Sequence, residues 1–330
     1  MDSLRGMSKG WTADDIPDLT GRTAVVTGGN SGIGAIECRE LAGHGARVIL
    51  ACRNRQKGEA AVAQIRRELG AAGGDAQIEV RNLDLASLDS VREFAEGLSA
   101  EMADGLDLLV NNAGVMASPR LETEDGFELQ FGTNHLGHFA LTGRLFPLLK
   151  KKPGSRVVTV SSIAARMGRL NFDDLNGRDG YRRWMAYGQS KLANQVFALD
   201  LQTLINEAGL DMKSMAAHPG VAATNLTSAG NDLDSGLMGL LSKPFLKLND
   251  LLVAQSAEDG ALPILRAATD PGLAGGTYVG CDGLGERRGK PVVVAPRKVA
   301  LNREVADRLW KESVDATGVD FDFTPAASAS

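Results

Sequence analysis

The stretch Thr23–Gly34 most narrowly limits how this chain can fold. Thr23-Ala24-Val25-Val26 is a short apolar run that reads as a buried strand, and it runs directly into Thr27-Gly28-Gly29-Asn30-Ser31-Gly32-Ile33-Gly34. A helix pattern follows at once. Glycines let the chain turn with unusual dihedrals, so backbone N–H groups and the positive end of the next helix can meet a phosphate. The spacing is Gly-x3-Gly-x-Gly rather than the G-x-G-x-x-G of the ordinary dinucleotide fingerprint. Its place between an apolar strand and an amphipathic segment favours a pyrophosphate cradle over a plain strand-to-helix turn.

The alternation of strand and helix signals continues to the C-terminal region. Strands are expected near residues 23–27, 47–51, 76–81, 106–111, 156–160, 213–217 and 276–279, with helices in the gaps. Residues 58–69 carry apolar side chains at 61, 62, 65 and 69, the stripe of a covering helix that Gly70 ends. This pattern predicts an α/β, doubly wound Rossmann fold: one domain with a mainly parallel seven-stranded sheet flanked by helices. At 330 residues and 43% hydrophobic, the chain can bury a large core. The domain is expected over 21–323, between a polar extension (1–20) and a flexible tail (324–330).

A second feature carries chemistry. Tyr187 and Lys191 lie four residues apart in Tyr187-Gly188-Gln189-Ser190-Lys191 and share one face of a helix. An ammonium beside a phenol favours the phenolate and lowers a pKa that is about 10 in isolation, so Tyr187 is a candidate proton donor. The same spacing also arises on ordinary amphipathic helices, and the pair needs support from elsewhere in the chain.

Together the motifs resemble those of the short-chain dehydrogenase/reductase family, in that family's order and along nearly the whole chain. Thr27, Gly28, Asn30, Ser31, Gly32, Ile33 and Gly34 match its cofactor turn. Asn111-Asn112-Ala113-Gly114 match its motif after the fourth strand, Asn134 its helix asparagine, Ser162 its catalytic serine, and Tyr187 with Lys191 its active pair. Pro219-Gly220-Val221, with Thr224 beyond, match the segment that closes over the nicotinamide. The retinol-dehydrogenase-like branch is suggested by Asn134-His135-Leu136-Gly137-His138-Phe139, Ser190-Lys191-Leu192-Ala193-Asn194 and Ala51-Cys52-Arg53-Asn54.

The resemblance implies an oxidoreductase that interconverts a carbonyl and an alcohol by hydride transfer, with Tyr187 as general acid/base, and the apolar region at about 226–252 points to a lipophilic small molecule as substrate. Ser162 would hydrogen-bond the carbonyl oxygen, and Lys191 would bind the nicotinamide ribose and lower the phenol pKa. Asn134 would hold a relay water, or simply satisfy a backbone group. Ser161 is the rival of Ser162, and chemistry alone does not separate adjacent serines. Two other readings stay open: a catalytically silent dinucleotide-binding regulator, and reduction of a conjugated C=C bond.

Cofactor choice turns on the residues just after the second strand. An NAD-binding enzyme usually places an acid there for the ribose 2′-hydroxyl, whereas this chain has Arg53, followed by Asn54. An arginine forks onto a 2′-phosphate, so NADP(H) is expected over NAD(H). Asp84, followed by Leu85, matches the family residue at the adenine edge, or belongs to a helix cap.

A net charge of −5 without a long basic run argues against nucleic acid. Cys38, Cys52 and Cys281 form no disulfide framework and no C-x-x-C pair, which suggests a reducing compartment. Met1–Thr20 is polar and carries Asp14, Asp15 and Asp18, so no signal peptide or stable membrane anchor is expected, and the cytoplasm is the expected location. Some members of the resembled branch are membrane-anchored, which makes a membrane-bound retinoid role unexpected. His44, His135, His138 and His218 fall in no ligand pattern, and no metal is expected. Residues 163–186 form a long insertion that covers the cleft or is an exposed loop. The apolar region at about 226–252 suggests a substrate lid or an ordinary packed helix. Homodimer and monomer are both open.

Overall fold

The computed structural model describes residues 10–70, 76–221 and 255–325. β1 (Thr23–Thr27) is followed by α1 (Gly32–Gly43), β2 (Arg47–Cys52), α2 (Arg55–Glu68), β3 (Ile78–Asn82), α3 (Leu88–Glu101) and β4 (Leu108–Asn111). A π-helical turn at Gly132–Leu136 leads into α4 (Gly137–Lys150), then β5 (Ser155–Val160), α5 (Arg183–Glu207) and β6 (Met212–Ala217). The chain ends with α6 (Ala257–Thr269), β7 (Tyr278–Cys281), β8 (Pro291–Val293) and α7 (Arg303–Thr317). The doubly wound fold is as expected, and the strand boundaries shift by two residues or fewer.

Among the described residues the sheet has eight strands, not seven, in the order β3-β2-β1-β4-β5-β6-β7-β8. All pairs are parallel except the last, where β8 turns back antiparallel on β7. The extra strand escaped the sequence because Pro291–Val293 is only three residues long, too short to show a period, and is held by a neighbour rather than by its own pattern. Strand order reverses between β1 and β4, and there the crossing connections leave a crevice beyond the carboxyl ends of the strands.

Local chemistry explains the helices. Asn54 caps α2 by accepting from Lys57 N–H at 2.9 Å, and the Ser87 side chain caps α3 by accepting from Ser90 N–H. Val91, Phe94, Ala95 and Leu98 are the buried stripe of α3 at helical spacing. Gly58 lets α2 lie close on the sheet, since a Cβ there would stand 2.6 Å from Val80 and 2.8 Å from the Cys52 sulfur. Gly318, at φ +64°, ends α7 in the left-handed conformation.

The segment before residue 21, read as a polar extension, puts Ile16 and Leu19 into the core, and Leu19 N–H donates to His44 O at 2.8 Å. Residues 1–9, the 226–252 region and residues 326–330 of the tail lie outside the described residues, as does Thr224. No helix among the described residues is long and apolar enough to cross a membrane.

Candidate active site

The glycine turn and the motif after β4 meet face to face in the crevice. Gly28 has φ +69°, and a Cβ on it would stand 3.0 Å from the Ala113 Cα. Gly32 has φ +54°, and a Cβ on Gly34 would stand 2.5 Å from the Asn112 side chain and 2.6 Å from Gly28 O. Only glycine fits at these places. The α1 N-terminus is left open: its cap residue Ser31 makes no side-chain capping bond, and no acidic residue stands in the first turn. A positive helix end with no carboxylate in its first turn suits a pyrophosphate, so the residues present fit a dinucleotide.

Thr27 and Asn112 serve as stitching. The Thr27 hydroxyl accepts from Asn112 N–H (2.9 Å) and Ala113 N–H (3.0 Å), and the Asn112 amide donates to Thr27 O at 2.8 Å. At the end of β2, the Arg53 side chain is 76% exposed and stands 3.8 Å from the Asp84 carboxylate, so the edge of the crevice carries a guanidinium that is free to turn. Asp84 accepts from Ala86 N–H at 2.9 Å. The α3 cap is Ser87, not Asp84. Leu85 is buried, and its carbonyl lies against Gly137, where a Cβ would be 2.4 Å away.

The end of β5 separates the two serines by strand alternation. Ser161 is buried and donates its hydroxyl to Lys191 O at 2.8 Å. Ser162 turns the other way. It heads the 3₁₀ turn Ile163–Arg166, accepts from Ala164 N–H at 3.1 Å and faces the Tyr187 phenol closely enough to favour its phenolate. On α5, Tyr187 and Lys191 lie on one face, with the ammonium 6.0 Å from the centroid of the phenol ring. Lys191 donates to Val160 O at 3.0 Å, which ties the helix to the same strand end. Gly114 leaves room in front of the amine, since a Cβ there would stand 3.4 Å from Nζ and 3.0 Å from the Asn134 Oδ1.

The electrostatics depart from the sequence expectation. The Tyr187 phenol is raised above its ordinary value because burial penalises the phenolate, and the Ser162 hydrogen bond only partly offsets this. Burial also brings Lys191 down to about 8. The expected lowering of the phenol by its lysine neighbour is therefore absent, since at this distance the ammonium does not outweigh the loss of water around the phenol.

Asn134 sits within the π-helical turn with its amide fully engaged. Its Oδ1 accepts from Val115 N–H (2.8 Å), and its Nδ2 donates to Val115 O and Ser190 Oγ, both at 2.9 Å. The side chain thus bonds the Val115 backbone and the Ser190 hydroxyl. The Asn134 carbonyl is 2.9 Å from His138 Nδ1, and His138 Nε2 is 2.9 Å from the Thr27 hydroxyl. The Asn134 carbonyl can only accept, so the neutral ring carries its proton on Nδ1, and Nε2 is the acceptor for the Thr27 hydroxyl, whose more distant alternative acceptor is Val110 O at 3.3 Å. Burial lowers His138 to about 3 and keeps it neutral. The sequence offers this histidine as a motif letter and a rejected metal ligand, and the sole local hint of its bridging role is its i+4 spacing from Asn134.

Beyond β6, Pro219–Val221 is held by several hydrogen bonds. Gln255 Nε2 donates to Pro219 O (2.7 Å), Val221 N–H donates to Arg287 O (2.7 Å), and Gln255 N–H donates to Val221 O (2.8 Å). The insertion 163–186 is tied down as well: the Tyr181 hydroxyl lies 2.6 Å from Gln130 Nε2 and 2.8 Å from Glu128 Oε1. Near Tyr187 the surface is apolar. The Trp184 ring meets the phenol edge-on at 6.3 Å and is half exposed, as are Met167 and Met185.

Comparison with known proteins bears on this arrangement. A family model described as short chain dehydrogenase matches residues 22–233. The chain is 40% identical over 310 residues to mouse retinol dehydrogenase 14, covering 91% of this chain and 87% of that one. It is 40% identical over 309 residues to mouse polyprenol dehydrogenase, covering 92% and 86%. A solved structure of an uncharacterized protein from Mycobacterium paratuberculosis superposes with a TM-score of 0.76 at 42% identity, covering 95% of this chain and 99% of that one. Motif order, sheet topology and these matches agree: the chain belongs to the short-chain dehydrogenase family of oxidoreductases, alongside the retinol dehydrogenases.

Proposed function

We propose that this protein is an NADP(H)-dependent oxidoreductase that interconverts a carbonyl and an alcohol on a lipophilic small molecule, with Tyr187 as general acid/base. The observation that carries this reading is the convergence of Ser162, Tyr187 and Lys191 beside Gly114, at the mouth of the glycine cradle. A bound nicotinamide supplies or takes up the hydride. Ser162 orients the substrate oxygen, and Tyr187 gives that oxygen a proton or removes one. Lys191, held on Val160 O, keeps a positive charge next to the phenol and a donor toward the ribose. Asn134 pins the Val115 loop that forms one wall, a positioning task that its fully used amide supports.

NADP(H) preference rests on Arg53, which is exposed at the end of β2 and stands 3.8 Å from Asp84. Replacing Arg53 with alanine is expected to raise KM for NADPH about 10- to 100-fold, the worth of one charge-assisted contact, and to leave KM for NADH nearly unchanged. Initial rates with each cofactor decide it, and an equal effect on both would overturn the preference.

A lipophilic substrate is supported by the apolar surface at Trp184, Met167 and Met185 and by the names of the retinol and polyprenol dehydrogenases. Trp184→Ala should raise KM for long apolar aldehydes or alcohols roughly 10-fold, at about 1–3 kcal/mol for a lost aromatic contact, and should spare short ones. Steady-state kinetics on a chain-length series gives the comparison. A uniform change along the series would remove Trp184 from substrate choice.

A further inference from the structure

We propose that His218 is a positioning residue for the nicotinamide end of the site, and that it locks Pro219–Gly220–Val221 to the turn that begins at Ser162. This rests on the function proposed above. His218 follows β6 directly, and its side chain is fully buried. Its Nδ1 accepts from Gly220 N–H at 3.2 Å, so the ring proton is on Nε2, which donates to Glu286 Oε2 at 2.9 Å. The other Glu286 oxygen meets Arg166 at 2.6 Å, and Arg166 also donates to Gly285 O at 2.9 Å. Arg166 closes the short 3₁₀ turn that Ser162 caps. A continuous path therefore runs from Gly220 through two hydrogen bonds to His218 and Glu286, and on through an ion pair to Arg166 and the Ser162 turn.

Three features show that the fold is built around this path. A Cβ on Gly280 would stand 2.2 Å from His218 Nε2, so β7 carries a glycine where the imidazole needs room. Gly220 has φ +65°, and a Cβ on it would be 2.5 Å from Arg287 O, so the segment passes directly under the loop that carries Glu286. Glu286 itself has φ +59°, a left-handed conformation that crowds the Cβ of any non-glycine residue. A strained residue persists where its surroundings over-determine it, and here the hydrogen bond from His218 and the ion pair with Arg166 hold the Glu286 carboxylate.

The imidazole must be neutral to accept from Gly220 N–H. Burial favours that form, and Arg166 adds to it, while Glu286 opposes it. Tyr278 packs its ring 5.3 Å from the imidazole and Cys281 stands near Glu286, and both are themselves held protonated by burial.

The test separates the two ring nitrogens. His218→Asn places an oxygen where Nδ1 stood and keeps the acceptor for Gly220. His218→Gln keeps a donor toward Glu286 and loses that acceptor. NADPH affinity by fluorescence titration, KM and kcat, and Tm are measured for the full chain and both variants. Both should lose similar Tm, since each gives up the buried ring. His218→Gln should weaken NADPH binding about 10-fold, and His218→Asn should recover most of it. Equal affinities in the two variants, whether both normal or both poor, would overturn the positioning role while leaving the oxidoreductase reading intact. Failure of the unaltered chain to bind NADPH would remove both together.

Discussion

Tyr187→Phe is expected to lower kcat by about 10³-fold, within the 10² to 10⁴ range that a positioned acid or base supplies, while NADPH binding changes by less than a few fold. Tyr187 is a buried residue of α5, and the substitution removes one oxygen while keeping the ring. Because burial raises the phenol above its ordinary value, the protonated form dominates at neutral pH. Reduction of a carbonyl, which consumes that proton, should therefore be less sensitive to rising pH than oxidation of an alcohol, which needs the proton gone. Initial rates in both directions, with NADPH affinity measured on the same preparation, provide the check. A variant that keeps turnover would eliminate Tyr187 as the acid, whatever the fate of the cofactor site.

Glu37→Gln is expected to stabilise the protein increasingly as pH rises from 5 to 8. Glu37 lies on α1, fully buried, and neither carboxyl oxygen has a hydrogen-bond partner among the described residues. Loss of water holds its proton on up to about pH 8, against an ordinary 4.5. Below 4.5 both folded and unfolded chains keep that proton, and stability does not depend on it. Between 4.5 and 8 the unfolded chain releases it and the folded chain does not, so stability falls as pH rises. The loss between pH 5 and 7 is on the order of 2–3 kcal/mol, and an uncharged isostere escapes it. Denaturant midpoints of the two proteins should nearly coincide at pH 5 and separate by pH 7. Parallel curves across that interval would contradict a buried, unpaired carboxyl.

Both results test features that the sequence displays unequally. Tyr187 and Lys191 stand out by spacing, and their shared helix face follows from the pitch of any helix. Glu37 gives no sign at all, because an acid on an amphipathic helix is normally solvated, and only the elements packed on α1 take its water away. The same holds for the sign of the Tyr187 shift. The lysine is visible in the sequence, but the desolvation that outweighs it depends on what surrounds the ring.

Elements with a strong local period were legible in the chain. The seven strands expected from alternation are present, and the stripe at 61, 62 and 65 does face the core. β8 was not legible, because three residues carry no period. Ser161 and Ser162 could not be told apart as letters, but strand alternation sends one hydroxyl to Lys191 O and the other toward Tyr187. The sequence shows the two histidines but not their bridging role, because their partners are remote. Thr27 lies 111 residues from His138, and Glu286 lies 68 from His218.

The order of strands and helices, the glycine turn and the tyrosine–lysine face were therefore written in the chain, since dihedral freedom and side-chain periodicity act over a few neighbouring residues. Packing assigned the remaining properties: which serine meets the phenol, which way burial moves each titrating group, and which ring nitrogen carries a proton. Those depend on distances and on the exclusion of water between segments far apart in sequence, and neither exists until the sheet and its covering helices close around the crevice.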